Sequence, residues 1–203
     1  MDDLSLVAPK TRPHAHPVDY TGAIIKQLWQ PDVAGRTPAV FAVLDGARDK
    51  RIEPMVHNSD LEHDCLFAGR LSYALRRAAP HIVKLEPHSP FTHKVLSMGW
   101  GNAWGIFAVG SRDCELTHIR NRLRRIARVQ GPNGKPLLFR YYDPRIMRAY
   151  LPTCLHSEVD RIYGSLSTIM MEGDDPQTML RFTQESHVPL TTTTIQLSRD
   201  KIN

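Results

Sequence analysis

Hydrophobic residues in this chain fall into short runs, and the period of each run predicts its element. The stretch TGAIIKQLWQ places Ile24, Ile25 and Leu28 at helical spacing, so a short helix is expected there. AVFAVLDGA is continuously apolar, rich in β-branched residues and ended by Asp-Gly. It reads as a buried strand with Asp45 at its C-terminal end. Strand-like and helix-like stretches then alternate through RIEPMVHNSD, CLFAG, LSYALRRAA, HIVKLE, SPFTHKVLSMGW and AWGIFAVGS. That rhythm predicts an α/β fold: a central mixed, partly parallel sheet flanked by helices, in a single compact domain with flexible termini.

The next run, CELTHIRNRLRRIARV, places Leu116, Ile119, Leu123 and Ile126 on one face. Arg120, Arg124, Arg125 and Arg128 lie largely elsewhere, which predicts an amphipathic helix with a basic outer surface. After the turn GPNGKP, LLFRYYD reads as another strand. Pro144 pushes Asp143 towards an extended backbone, the geometry of an N-cap, and itself suits the first helical position. PRIMRAYL is then a capped helix stopped by Pro152. SEVDRIYGSLSTIMM predicts one further helix, with Val159, Ile162, Leu166 and Ile169 on a common face, and GDDPQ breaks it. The expected organisation is a flexible N-terminal arm over 1–20, the α/β domain over 21–172, and a short C-terminal extension over 173–203 contributing one strand and a polar tail.

Composition narrows the function classes. At 203 residues and 41% hydrophobic content the chain can bury a real core. Its apolar stretches fall short of the roughly 18 residues of a membrane helix. The opening MDDLSLVAPKTRPHAH is acidic at its start and lacks a continuous apolar stretch, so it does not read as a secretory signal. A cytoplasmic protein with no membrane partner is expected. Three cysteines without a C-x-x-C pair indicate reduced thiols. The net charge of +5 raises nucleic acid as a partner. Glu115 opens the basic helix, however, and no aromatic residues interleave for base stacking, so an acidic protein partner is at least as natural.

The candidate chemistry centres on Asp45 and Asp143. Carboxylates at strand ends of an open α/β sheet lie where ligands bind, and two of them can hold Mg²⁺ for a metal-dependent hydrolase or phosphotransferase. The competing reading is a strand-ending turn and a helix cap. LDGA lacks the acid two residues upstream that haloacid-dehalogenase-type phosphatases carry. Cys65 with His63 and Asp64, and Cys154 with His156, are neighbours in sequence, which rarely face one another, and both cysteines read as buried thiols. His14 with His16, and His88 with His93, lack a metal-binding register. GWGNAWGIF lacks a phosphate-loop pattern, so Gly99 and Gly101 read as a helix end and turn and Trp104 as a core anchor. No catalytic residue, cofactor or metal is expected.

Taken together, AVFAVLDGAR, CLFAG, SPF, GWGNAWGIF, LRRIARV and LLFRYYDPRIMRAYLPTC give residues 24–170 a resemblance to the type VI secretion effector chaperones or adaptors, the DUF4123-type family. The resemblance implies a non-enzymatic protein that binds a cognate toxic effector in the bacterial cytoplasm and helps load it onto a VgrG spike protein. Its recognisable positions here are Asp45, Gly46, Trp104, Gly105, Arg140, Tyr142, Asp143, Pro144 and Arg145. Arg140 and Arg145 are expected either to pair with Asp45 or Asp143 inside a strand-to-helix corner or to meet a partner's carboxylates. Many relatives carry a longer variable segment after the shared domain, so residues 1–20 and 173–203 are specificity candidates.

Overall fold

The run AVFAVLD forms the central strand, β1 (Ala39–Asp45), and all of its residues are buried. Alternation of side chains along a strand explains how. Ala39, Phe41 and Val43 enter one hydrophobic core, whereas Val40, Ala42 and Leu44 enter a second on the opposite face. The sheet is therefore covered by helices on both sides. These features belong to a computed structural model that describes residues 19–130, 133–185 and 189–198. Most of the expected N-terminal arm, with His14 and His16, lies outside the described residues, as do 186–188 and 199–203 of the expected extension.

Helices α1 (Thr21–Leu28), α2 (Ile52–His57) and α4 (Pro90–Gly99) contribute to the core on one face. The other face carries α5 (Leu116–Ile126), α6 (Pro144–Tyr150) and α7 (His156–Tyr163). A short α3 (Tyr73–Ala78) buries none of its residues. The remaining strands are β2 (His63–Cys65), β3 (Pro80–Leu85), β4 (Gly105–Gly110), β5 (Arg128–Gln130), β6 (Pro136–Leu138), β7 (Leu166–Glu172), β8 (Thr178–Thr183) and β9 (Thr191–Gln196). Seven form one sheet in the order β2-β3-β1-β4-β7-β8-β9, and β5 pairs with β6 separately.

Every neighbouring pair in the seven-stranded sheet is antiparallel, which corrects the expected mixed, partly parallel sheet. The reason lies in the connections. β3 and β4 both pair antiparallel with β1 and flank it, so they run parallel to one another with α4 crossing between them. β1 and β2 are related in the same way across β3, with α2 in the connection. Strand–helix–strand alternation was therefore real, but these two crossovers each skip a strand that fills the gap in the opposite direction, while the connections through α3 and through α5–α7 join antiparallel neighbours. The continuously apolar strands reflect burial on two faces, which parallel sheets usually show and this antiparallel sheet shares.

Three element boundaries also differ from expectation. SEVDRIYGSLSTIMM is not one helix: α7 stops at Gly164, whose φ of 56° lies outside the helical region, and LSTIMME becomes β7. LLFRYYD is a strand only as far as Leu138; Tyr141 and Tyr142 lie beyond it in a turn and are buried in the core that α6 enters through Met147. CLFAG is not a strand, since β2 ends at Cys65. The C-terminal extension supplies two strands, β8 and β9, which continue the main sheet.

Candidate functional site

The C-terminal ends of β1 and β7 and the N-terminal ends of β3 and β4 meet at one end of the sheet. Asp45 ends β1 there, fully buried. Its amide donates to the Trp104 carbonyl at 2.8 Å, and the next amide, Gly46, donates to the Ala79 carbonyl at 3.1 Å. A Cβ on Gly46 would overlap the carbonyl oxygens of Arg77 and Ala79, so only glycine lets the chain turn this close to the neighbouring backbone. That turn points the Asp45 carboxylate inward, where Oδ1 accepts the Ala47 amide at 3.1 Å and Oδ2 pairs with the Arg140 guanidinium.

Asp143 performs the cap that the Asp-Pro pair predicts. Its backbone is extended, Pro144 opens α6, and Oδ1 accepts the Arg145 amide at 3.0 Å. The Arg145 side chain then folds back in a fork, with Nε 2.9 Å from Oδ1 and a terminal nitrogen 2.5 Å from Oδ2. Such two-point charge-assisted bonding fixes orientation as well as charge. Arg140 lies 4.0 Å from the same Oδ2, so it bridges the two buried carboxylates. The arginine side chains keep 40% and 48% exposure at Arg140 and Arg145, whereas the aspartates beneath have almost none. The corner has an anionic floor and a cationic surface.

Burial pushes the Asp143 carboxyl up, but the hydrogen bonds from the Arg145 side chain and amide outweigh it and hold the group below its ordinary value. The hydrogen bond to Asp45 raises the already strong basicity of Arg140. Tyr142 is pushed up to about 12, first by burial and then by the Asp45 charge, and stays a neutral phenol. Trp104 is buried beside the turn, with the Arg51 guanidinium 5.4 Å from its ring centroid.

The structure thus gathers Asp45, Arg140, Tyr142, Asp143 and Arg145 into one corner, with Trp104 beside its floor. It adds residues that sequence reasoning missed. Glu172, at the end of β7, is buried and accepts the Gly101 amide at 2.7 Å and the Ala103 amide at 3.0 Å. Burial raises its pKa, and the two amides oppose that rise. Arg148 of α6 donates to the Glu172 and Gly173 carbonyls at 3.3 and 3.1 Å and pairs with Asp174. Arg48 donates to the Asn102 carbonyl at 2.9 Å. Reading 157–171 as a single helix hid Glu172, because its role depends on the strand that carries it.

Chemically, the acids of this corner are occupied by cations and amides of the chain itself. Arg140 stands between Asp45 and Asp143, where a shared divalent ion would have to lie. Among the described residues, no group of three or more histidine, cysteine or acidic side chains is arranged to hold a metal. Burial pushes the Cys65 and Cys154 thiols up, away from a reactive thiolate. Both cysteines are half-buried rather than fully buried, and Cys65 closes its strand instead of opening it. No described helix is long and apolar enough to cross a membrane.

A family model described as a domain of unknown function, DUF4123, matches residues 40–161. That span runs from β1 into α7 and contains all six positions of the corner and its floor named above, while Glu172 lies beyond it. No curated protein and no solved structure matches the chain.

Proposed function

The chain belongs to the DUF4123 family, which is associated with type VI secretion effector adaptors, and from that premise we propose that it is a non-enzymatic adaptor for one cognate toxic effector. It binds the effector in the bacterial cytoplasm and promotes its loading onto a VgrG spike protein, using surface recognition and no cofactor. The observation that supports this reading over a hydrolase is the fate of the corner's acids. Asp45 and Asp143 spend their oxygens on Ala47, Arg140 and Arg145, bonds that fix a strand-to-helix junction.

The same bonds hold the half-exposed faces of Arg140 and Arg145 in fixed positions. Pre-organised cations lose less freedom when a partner's carboxylate arrives, which suits a recognition surface. The test is export. In the native host, deleting this gene removes the cognate toxin from the culture medium while the spike protein is still exported. Continued export of the toxin at the wild-type level would overturn the proposal.

A further inference from the structure

A groove on another part of the surface remains unused by the corner. It is bounded by α3, α5 and the β2 edge of the sheet, and its two parts share Phe67, Ala68, Leu71 and Arg124. The polar part, about 700 Å³, is lined by Glu53, His57, His63 and His81. The apolar part, about 550 Å³, is lined by Leu66, Leu71, Leu75, Ala127 and Leu138. Around it, Tyr73, Leu75, Leu137 and Leu138 are exposed by 73%, 46%, 51% and 50%. Large apolar side chains clustered about one concavity mark a contact surface, unlike apolar residues scattered singly.

Charge identifies what fits. Arg70, Arg76, Arg124 and Arg125 line the two parts of the groove. Arg70, Arg76 and Arg125 are exposed, and among the described residues no carboxylate pairs with them. Of the two acids in the lining, Asp64 is held by Arg120 and Arg124, which leaves Glu53 at the far end. The free charge beside the leucines is therefore positive. A second copy of this chain would bring the same arginines against these. A nucleic acid would satisfy the arginines but leave Leu75, Leu137 and Leu138 uncovered.

We propose that this groove docks an acidic amphipathic segment of the partner protein, its apolar face over Leu71, Leu75 and Leu138 and its carboxylates against Arg70, Arg76 and Arg125. Naming the partner as effector or spike rests on the adaptor reading; the groove's chemistry does not. The probe is a fluorescein-labelled synthetic 16-residue helical peptide with leucine on one face and glutamate on the other, titrated with the whole chain and followed by anisotropy.

The Leu/Glu peptide binds saturably, and the Arg76→Glu/Arg125→Glu variant weakens it by about tenfold or more. Leu75→Asp/Leu138→Asp abolishes it. The arginine variant changes only exposed side chains and so remains a valid test where the leucine variant unfolds. Lysine in place of glutamate, or alanine in place of leucine, removes binding. No saturation up to about 1 mM, unchanged affinity in the arginine variant, or equal binding of either control peptide overturns the proposal. The two failures separate: peptide bound without the toxin refutes adaptor function alone, and toxin and spike both bound equally by the groove variants refutes the groove alone.

Discussion

Consider replacing Arg140 by methionine. The change leaves the Asp45 carboxylate, which has no solvent exposure, with a single amide partner, Ala47, at 3.1 Å. Breaking a buried pair from one side typically costs about 3–5 kcal/mol, because the remaining charge is neither paired nor hydrated. Arg140 itself is 40% exposed, so its removal admits some water and the lower end, about 3 kcal/mol, applies. The reverse change differs. Asp45→Asn retains an acceptor for Ala47 and frees a guanidinium that can turn into solvent, for about 1 kcal/mol. Joining the two changes removes the stranded charge, so the double variant is more stable than Arg140→Met by about 2 kcal/mol and the pair is strongly coupled. Urea unfolding with linear extrapolation measures all four proteins. Melting temperature for Arg140→Met falls by about 6–12 °C in a domain of this size. The reasoning is refuted if Asp45→Asn costs as much as Arg140→Met, or if the two losses simply add.

Two other changes probe the same corner. Asp143→Asn keeps the helix cap and loses the ionic fork to Arg145, costing about 1 kcal/mol near neutrality. Because the folded Asp143 carboxyl titrates below its ordinary 3.8, its stabilisation is complete above that pH and is lost as the pH falls through the folded value. The gap between wild type and variant, followed by unfolding at each pH, therefore stays constant from pH 5 to 7 (about the neutral range) and closes in stronger acid; a gap that persists there contradicts the assignment. Gly46→Ala drives a methyl group into the carbonyls of Arg77 and Ala79 and costs about 1–3 kcal/mol by thermal melting, and an unaffected melt would show that the turn relaxes freely.

How much of this was legible in the sequence depended on the range of the interaction. The Asp143 cap was readable because the Asp-Pro pair sets its own backbone, and the structure shows that bond between residues two apart. The grouping of Asp45 with Arg140 joins residues 95 apart and came only through the family resemblance. Strand direction was misread, since alternating apolar runs report burial on two faces and not which strand lies between two others. The break at Gly164 was missed for a related reason: Leu166 and Ile169 lie at helical spacing but serve a strand buried on both sides. The groove combines α5 with α3 and β6, and the exposed leucines of α3 and β6 look like ordinary surface positions until the fold brings them together.

The proposal that this chain holds a toxin without transforming it is tested most directly by calorimetric titration of the purified chain with the toxin whose export from the native host depends on it, followed by intact-mass measurement of the recovered toxin. The account predicts saturable binding and an unaltered toxin mass. Absence of binding heat, or a toxin whose mass changes with turnover, would contradict it.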